Sequence, residues 1–136
     1  MNPGASVYTT INGIALKIFR LKHMMDSSGT RTTNFAYLIQ LGGMKILQMG
    51  DITIEFDLAY LEPMQLQNEN IDILFLPYFD LSEISVKFVK EVIKPSYVIA
   101  KHLPPAAIDS ESKKFHGVFP DGIVFGKPLE TKLFTK

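Results

Sequence analysis

The chain opens with a β-branched run, Ser6 to Ile11, which reads as a strand. Asn12-Gly13 follows, a strong signal for a two-residue hairpin turn. The return arm is 14–22, with apolar Ile14, Leu16, Ile18 and either Phe19 or Leu21. Residues 24–33 are polar and turn-rich and read as a loop. A second hairpin is predicted from Phe35–Leu41, the Gly42-Gly43 turn and Met44–Met49, ending at Gly50-Asp51. Segment 56–67 carries Phe56, Leu58, Ala59, Leu61 and Leu66 around Pro63, and predicts a short, interrupted helix. Ile71–Leu76 is almost wholly apolar, as a strand buried on both faces would be.

Leu81, Ile84, Phe88, Val89, Val92 and Ile93 repeat at helical spacing, so 81–94 is the strongest predicted helix. Asp80 with Glu83 resembles a capping box, and Pro95 ends the helix. Tyr97–Ala100 reads as another buried strand, and 105–114 as a short helix. Closing β structure is expected at Val118-Phe119 and Ile123–Phe125.

This order, antiparallel strands followed by β–helix–β–helix–β, defines an α/β fold with a mixed sheet. Strands 44–49, 71–76 and 97–100 are joined by crossovers and are expected to lie parallel and adjacent. Their C-terminal ends then share one edge, where open α/β sheets bind ligands. That edge receives Asp51, Tyr78 and His102. Strand 35–41 starts there too, and His23 begins the loop that feeds it. Topology alone therefore gathers His23, Asp51 and His102. Two imidazoles and a carboxylate suit zinc, iron or manganese. Taken singly, a strand-end histidine is more often solvated than ligating, and a Gly-Asp pair after a strand is a common turn.

Composition narrows the function classes. At 136 residues the chain has the length of a single domain, 1–136, large enough to bury about two-thirds of its unfolded surface. Lys plus Arg and Asp plus Glu both number 14, so no electrostatic footprint for nucleic acid or membrane is present. There is no cysteine, which removes disulfides, thiolate metal sites and a cysteine nucleophile. No apolar run approaches the ~20 residues of a membrane span, and no signal peptide is visible. Cytoplasmic location is the default expectation. A mean hydropathy of +0.12 fits either a well-buried core or an apolar face that expects a partner.

Four segments resemble the second half of the metallo-β-lactamase-fold hydrolases, in particular a lactonase-like branch. They are Asn12–His23 (NGIALKIFRLKH), Asn34–Asp51 (NFAYLIQLGGMKILQMGD), Ile71–Pro77 (IDILFLP) and Lys94–His102 (KPSYVIAKH). Together they cover roughly residues 10–105 in the family's order. The resemblance implies half of a four-layer αβ/βα sandwich, with helices on one face of a mixed sheet. It implies that His23 binds one metal, that Asp51 bridges two and that His102 binds the second. It also implies a small-molecule substrate, and lactones, phosphodiesters, thioesters and amides are all hydrolysed within this fold.

The family's other half carries a His-x-His-x-Asp-His motif. This chain has three histidines, none in that spacing. The sequence therefore reads as a C-terminal half whose metal site is short of ligands. Metal binding is expected to be weak or absent, and activity alone is not expected. The uncovered sheet face is expected to drive self-association into a homo-oligomer. The competing reading is a non-enzymatic scaffolding or self-associating half-domain with vestigial ligands. Tyr78, Phe79 and Lys101 share the candidate edge, but loop packing and a solvated charge are the simpler readings for them. His116 has no partner by spacing and reads as structural or exposed.

Overall fold

A computed structural model describes residues 4–23 and 32–136. Six strands form one sheet in sequence order: β1 (Ser6–Ile11), β2 (Ile14–Lys22), β3 (Thr33–Leu41), β4 (Met44–Gln48), β5 (Ile73–Pro77) and β6 (Tyr97–Lys101). The first four are antiparallel, and β4, β5 and β6 are parallel. The predicted loop at 24–33 lies almost wholly outside the described residues.

Both hairpin turns are two residues long. Asn12 and Gly13 have φ of 49° and 81°, and Gly42 and Gly43 have 57° and 80°. Positive φ at both central positions gives the twist that antiparallel strands need.

Helix α1 (Ile54–Leu61) runs into 3-10 turns at Glu62–Met64 and Leu66–Asn68. Helix α2 (Glu83–Lys87) continues as a π-helical turn over Phe88–Ile93. Lys94, at φ 50°, ends it before Pro95. Helix α3 (Ile108–Val118) follows a 3-10 turn at Pro105–Ala107.

Alternation decides what each sheet face meets. Phe19, Leu21, Ala36, Leu38, Leu47, Leu74, Leu76 and Ala100 point to one face, and there pack with Ile54, Leu61, Phe88, Val89, Ile93 and Phe115 of the helices. This is the main core. On the other face Ile73, Ile99 and Ile123 form a smaller cluster with Met44, Ile46, Phe75, Tyr97, Phe125 and Phe134. The C-terminal segment thus covers this second face over β4–β6. Tyr97 Oη donates to Thr135 O at 3.0 Å, and the Tyr97 and Phe134 rings meet edge to face. Over β1–β3 the second face stays open, with Val7, Ile11, Phe35 and Leu41 exposed. The expected uncovered face is therefore narrower than the whole sheet.

Three local expectations are corrected. The cap of α2 is Ser82, whose hydroxyl accepts from Ser85 N at 3.2 Å. Asp80 instead accepts the Ile54 N–H at 2.9 Å, tying the α2 entry to the start of α1. Val118-Phe119 is not β structure. Helix α3 runs through Val118 because Phe115 is fully buried and its ring packs on Phe119, with centroids 5.3 Å apart. Lys90 Nζ donates to Val118 O at 2.9 Å and closes the end of α3. Of the closing strand, Ile123 makes one parallel bridge, to Ile99.

Candidate metal centre

The C-terminal ends of β4 and β6 and the end of β2 meet at one corner of the sheet. There the structure brings together His23, Asp51 and His102, which are far apart in the chain. His102 Nε2 lies 2.6 Å from Asp51 Oδ1, within hydrogen-bond distance. His23 Nε2 lies 3.5 Å from Asp51 Oδ2. Both imidazoles thus face the same carboxylate, one at each oxygen. His116 is elsewhere, on α3, with Nε2 3.0 Å from Gly122 O. Phe79 packs edge to face on Tyr78.

The turn that presents Asp51 is fixed from three sides. Asn34, buried at the start of β3, donates from Nδ2 to Met49 O at 2.9 Å. Its Oδ1 accepts the Asp51 N–H at 3.0 Å. Gln48 Oε1 accepts the Gly50 N–H at 2.6 Å. Gly50 has φ +66°, and a Cβ there would come within 2.1 Å of Asn34 Oδ1. Glycine is required at this position for both reasons. His102 also has a positive φ, 63°, in a region unfavourable to side-chain-bearing residues. Strained backbone of this kind clusters at functional sites.

Lys101 completes the corner. Its Nζ donates to Gly50 O and lies 3.4 Å from Asp51 Oδ1. The side chain is only 12% exposed, so Lys101 is not the solvated charge its sequence position suggested. Burial holds its pKa below the usual lysine value, against the opposing pull of Asp51. Sequence reasoning gave no role to Asn34 and the wrong environment to Lys101. The signal for Lys101 was available: the last residue of a parallel strand beside a candidate ligand points into the same edge.

The chemistry of the donors can be tested against a metal ion. Two ligands of one tetrahedral zinc, each at about 2.0–2.2 Å, stand about 3.3–3.6 Å apart. The His23–Asp51 pair, at 3.5 Å, fits that spacing. The His102–Asp51 pair, at 2.6 Å, is closer than that spacing and is a direct contact. Among the described residues no group of three or more His, Cys, Asp or Glu side chains is arranged to hold a metal ion. The corner offers one well-spaced pair, and further donors would have to complete it.

No family model matches this chain, and no curated protein matches it. Among solved structures it is similar to the metallo-β-lactamase FIM-1 from Pseudomonas aeruginosa in its mono-zinc form. The identity is 9% and the TM-score 0.38, over 79% of this chain and 46% of that one. The chain spans about half the length of that protein. What the chain's own geometry defines is its class: an α/β protein built on a mixed six-stranded sheet. Among the described residues no helix is long and apolar enough to cross a membrane.

Proposed function

We propose that this chain contributes part of the divalent-metal site of a hydrolase of the metallo-β-lactamase superfamily, with His23, Asp51 and His102 as its ligands. The observation that carries the reading is the two-sided approach of imidazoles to Asp51, at 2.6 and 3.5 Å, on a strand-end edge. Buried Asn34 and a glycine-only turn hold that carboxylate in place, which a solvated surface ion pair does not need. Zinc is the first ion to try; iron and manganese suit the same donors. When bound, such an ion polarises a carbonyl or phosphoryl oxygen and acidifies a water.

The chain's own residues supply a negative oxygen, two imidazole nitrogens and a backbone that fixes their separation. They supply too few donors for a closed site, so the reading places the remaining ligands on a second body. The open apolar face of β1–β3 supports a place for that body. No residue of these three strands is acidic, and Val7, Ile11, Phe35 and Leu41 stand exposed on that face. A second copy of the chain packed on this face is the other reading, and it gives the chain a self-associating role without catalysis.

One measurement separates the two readings: native mass spectrometry of the chain with zinc alone, beside His102→Ala and Asp51→Ala. The metal reading expects zinc uptake that falls at least tenfold in affinity in both variants. Uptake unchanged by either substitution overturns it. A dimer that takes up no zinc favours the self-associating reading, and a monomer at micromolar concentration counts against that one.

A further inference from the structure

The sheet has two edges, and they are finished differently. The β6 edge is covered: Ala100 N donates to Ile123 O and Ile123 N donates to Val98 O, each at 2.8 Å. Among the described residues nothing pairs with the outer side of β1. All of Ser6–Ile11 is exposed, and none of it is charged or proline. Natural sheets guard an open edge with lysine, proline, a bulge or a covering segment. The β1 edge has neither guard residue, and its register with β2 runs without a bulge from Ser6 to Ile11.

Hydrogen-bond alternation decides which backbone groups point outward. Ile11 and Ile14 flank the two-residue turn and face each other as a hydrogen-bonded pair. Thr9–Leu16 and Val7–Ile18 repeat that pairing, and Arg20 N donates to Ala5 O at 3.0 Å in the same phase. The N–H and C=O groups of Ser6, Tyr8 and Thr10 therefore point away from the sheet.

We propose that this edge pairs antiparallel with β1 of a second copy, centred on Tyr8, so that one sheet runs through a closed dimer. The occupant follows from the strand's own symmetry. The register with Tyr8 opposite Tyr8 of the second copy sets Ser6 opposite Thr10 and engages all three outward residues. Each such pair exchanges two backbone hydrogen bonds. The side chains match as well: tyrosine meets tyrosine, Ser6 meets Thr10 and Val7 meets Thr9. A strand without charge meets no like charge when it pairs with itself. The covered β6 edge keeps the contact from propagating, so a two-fold dimer closes. Edge pairing leaves the open face of β1–β3 uncovered and makes no use of the Asp51 corner, so it neither needs nor excludes a metal there.

The test is mass in solution and cross-linking, with the full chain alone. Light scattering after size-exclusion chromatography is expected to give twice the 15.3 kDa chain mass in a concentration series reaching about 100 μM. Tyr8→Pro removes an outward N–H that β2 does not use, a change edge strands tolerate, and is expected to weaken the dimer at least about tenfold. Circular dichroism checks that this variant is folded. The chain has no cysteine, so a single introduced thiol reports proximity. Tyr8→Cys stands on the two-fold axis, with Cα atoms about 5.5 Å apart, and is expected to oxidise to a disulfide-linked dimer. Thr10→Cys places its two thiols out of register by about 13 Å and is expected to stay uncross-linked, as is Phe35→Cys on the open face.

A monomer through the whole concentration series overturns the proposal. So does a dimer that folded Tyr8→Pro leaves intact. A dimer cross-linked through Phe35→Cys and not through Tyr8→Cys overturns it too, and places the second copy on the open face. Masses that grow beyond the dimer overturn the closed arrangement. The cysteine variants decide the matter even where Tyr8→Pro fails to fold.

Discussion

Two clusters of charge sit at opposite ends of the sheet, and they are built differently. At the N-terminal ends of β4 and β5, Glu69 receives Lys17 Nζ at 2.8 Å and Lys45 Nζ at 3.2 Å, one lysine on each oxygen. Lys17 also lies over the rings of Tyr8 and Phe19, 5.0 Å from each centroid. Burial disfavours both charges there, yet the partners prevail. The Lys17 pKa is raised and that of Glu69 is lowered. Each charge favours the other. At the C-terminal ends, Asp51 faces two imidazoles and a lysine whose pKa is pushed down by burial in spite of Asp51. Two backbone positions there hold positive φ, Gly50 and His102. The first cluster satisfies itself and stabilises the fold. The second is held in place by its surroundings.

The strongest way to break this contrast is at Gly50. An alanine there would clash with Asn34 and adopt an unfavourable φ of +66°. Gly50→Ala is expected to cost about 2–4 kcal/mol in urea unfolding and to lose zinc uptake. Asn34→Ala removes the partners of Met49 O and the Asp51 N–H, and is expected to cost about 1–3 kcal/mol. A Gly50→Ala protein of wild-type stability would show that the Asp51 turn is not fixed as described.

The Glu69 cluster should respond to pH and not to zinc. A carboxylate whose folded pKa lies below its ordinary 4.5 contributes stability that is present above pH 4.5 and lost as pH falls through the folded value. Lys17 has the opposite limb. Its folded pKa lies above 10.5, so its contribution is present below that pH and lost as pH rises through the folded value. Glu69→Gln is expected to cost about 1 kcal/mol at pH 7 and to flatten the acid limb of the stability profile, with zinc uptake unchanged. An acid limb as steep in Glu69→Gln as in wild type would assign it to other carboxylates.

The sheet was legible in the sequence because its turns carry backbone chemistry. Asn12-Gly13 and Gly42-Gly43 specify hairpins, and the apolar runs at 71–76 and 97–100 read as buried strands joined by crossovers. Topology then carried Asp51 and His102 to one edge without any side-chain information. The details that depend on competition between local partners were not legible. Asp80 and Ser82 both suit a helix cap, and the spacing to Glu83 favoured Asp80. Tertiary contact drew Asp80 to Ile54, and the nearer Ser82 took the cap. Val118-Phe119 looks β-branched and aromatic, but the burial of Phe115 carries α3 through it. The role of Asn34 was hidden for a similar reason. Its partners, Met49 and Asp51, lie on the far side of a hairpin.

Asp80 supplies the smallest and most discriminating effect, because it belongs to neither cluster. One oxygen accepts from Ile54 N–H, and the other is buried with no hydrogen-bond partner. Burial raises its pKa, against the hydrogen bonds from Ser85 and Ile54, while the nearby Glu55 adds to the rise. The sign is therefore opposite to that of Glu69. A carboxyl whose folded pKa is raised binds its proton more readily in the folded state, so stability falls as pH rises from 3.8 through the folded value. Asp80→Asn keeps an acceptor for Ile54 N–H and removes the buried charge. It is expected to match or exceed wild-type stability at pH 7, by up to about 1 kcal/mol, with the advantage gone below the ordinary aspartate range. Asp80→Ala leaves the Ile54 N–H unpaired and is expected to cost about 1–3 kcal/mol instead. Paired thermal melts at pH 3.5 and pH 7 check both (approximate set points). An Asp80→Asn protein clearly less stable than wild type at pH 7 would mean that the charge itself holds α1 to α2. Asp80 would then join Glu69 as a stabilising carboxylate.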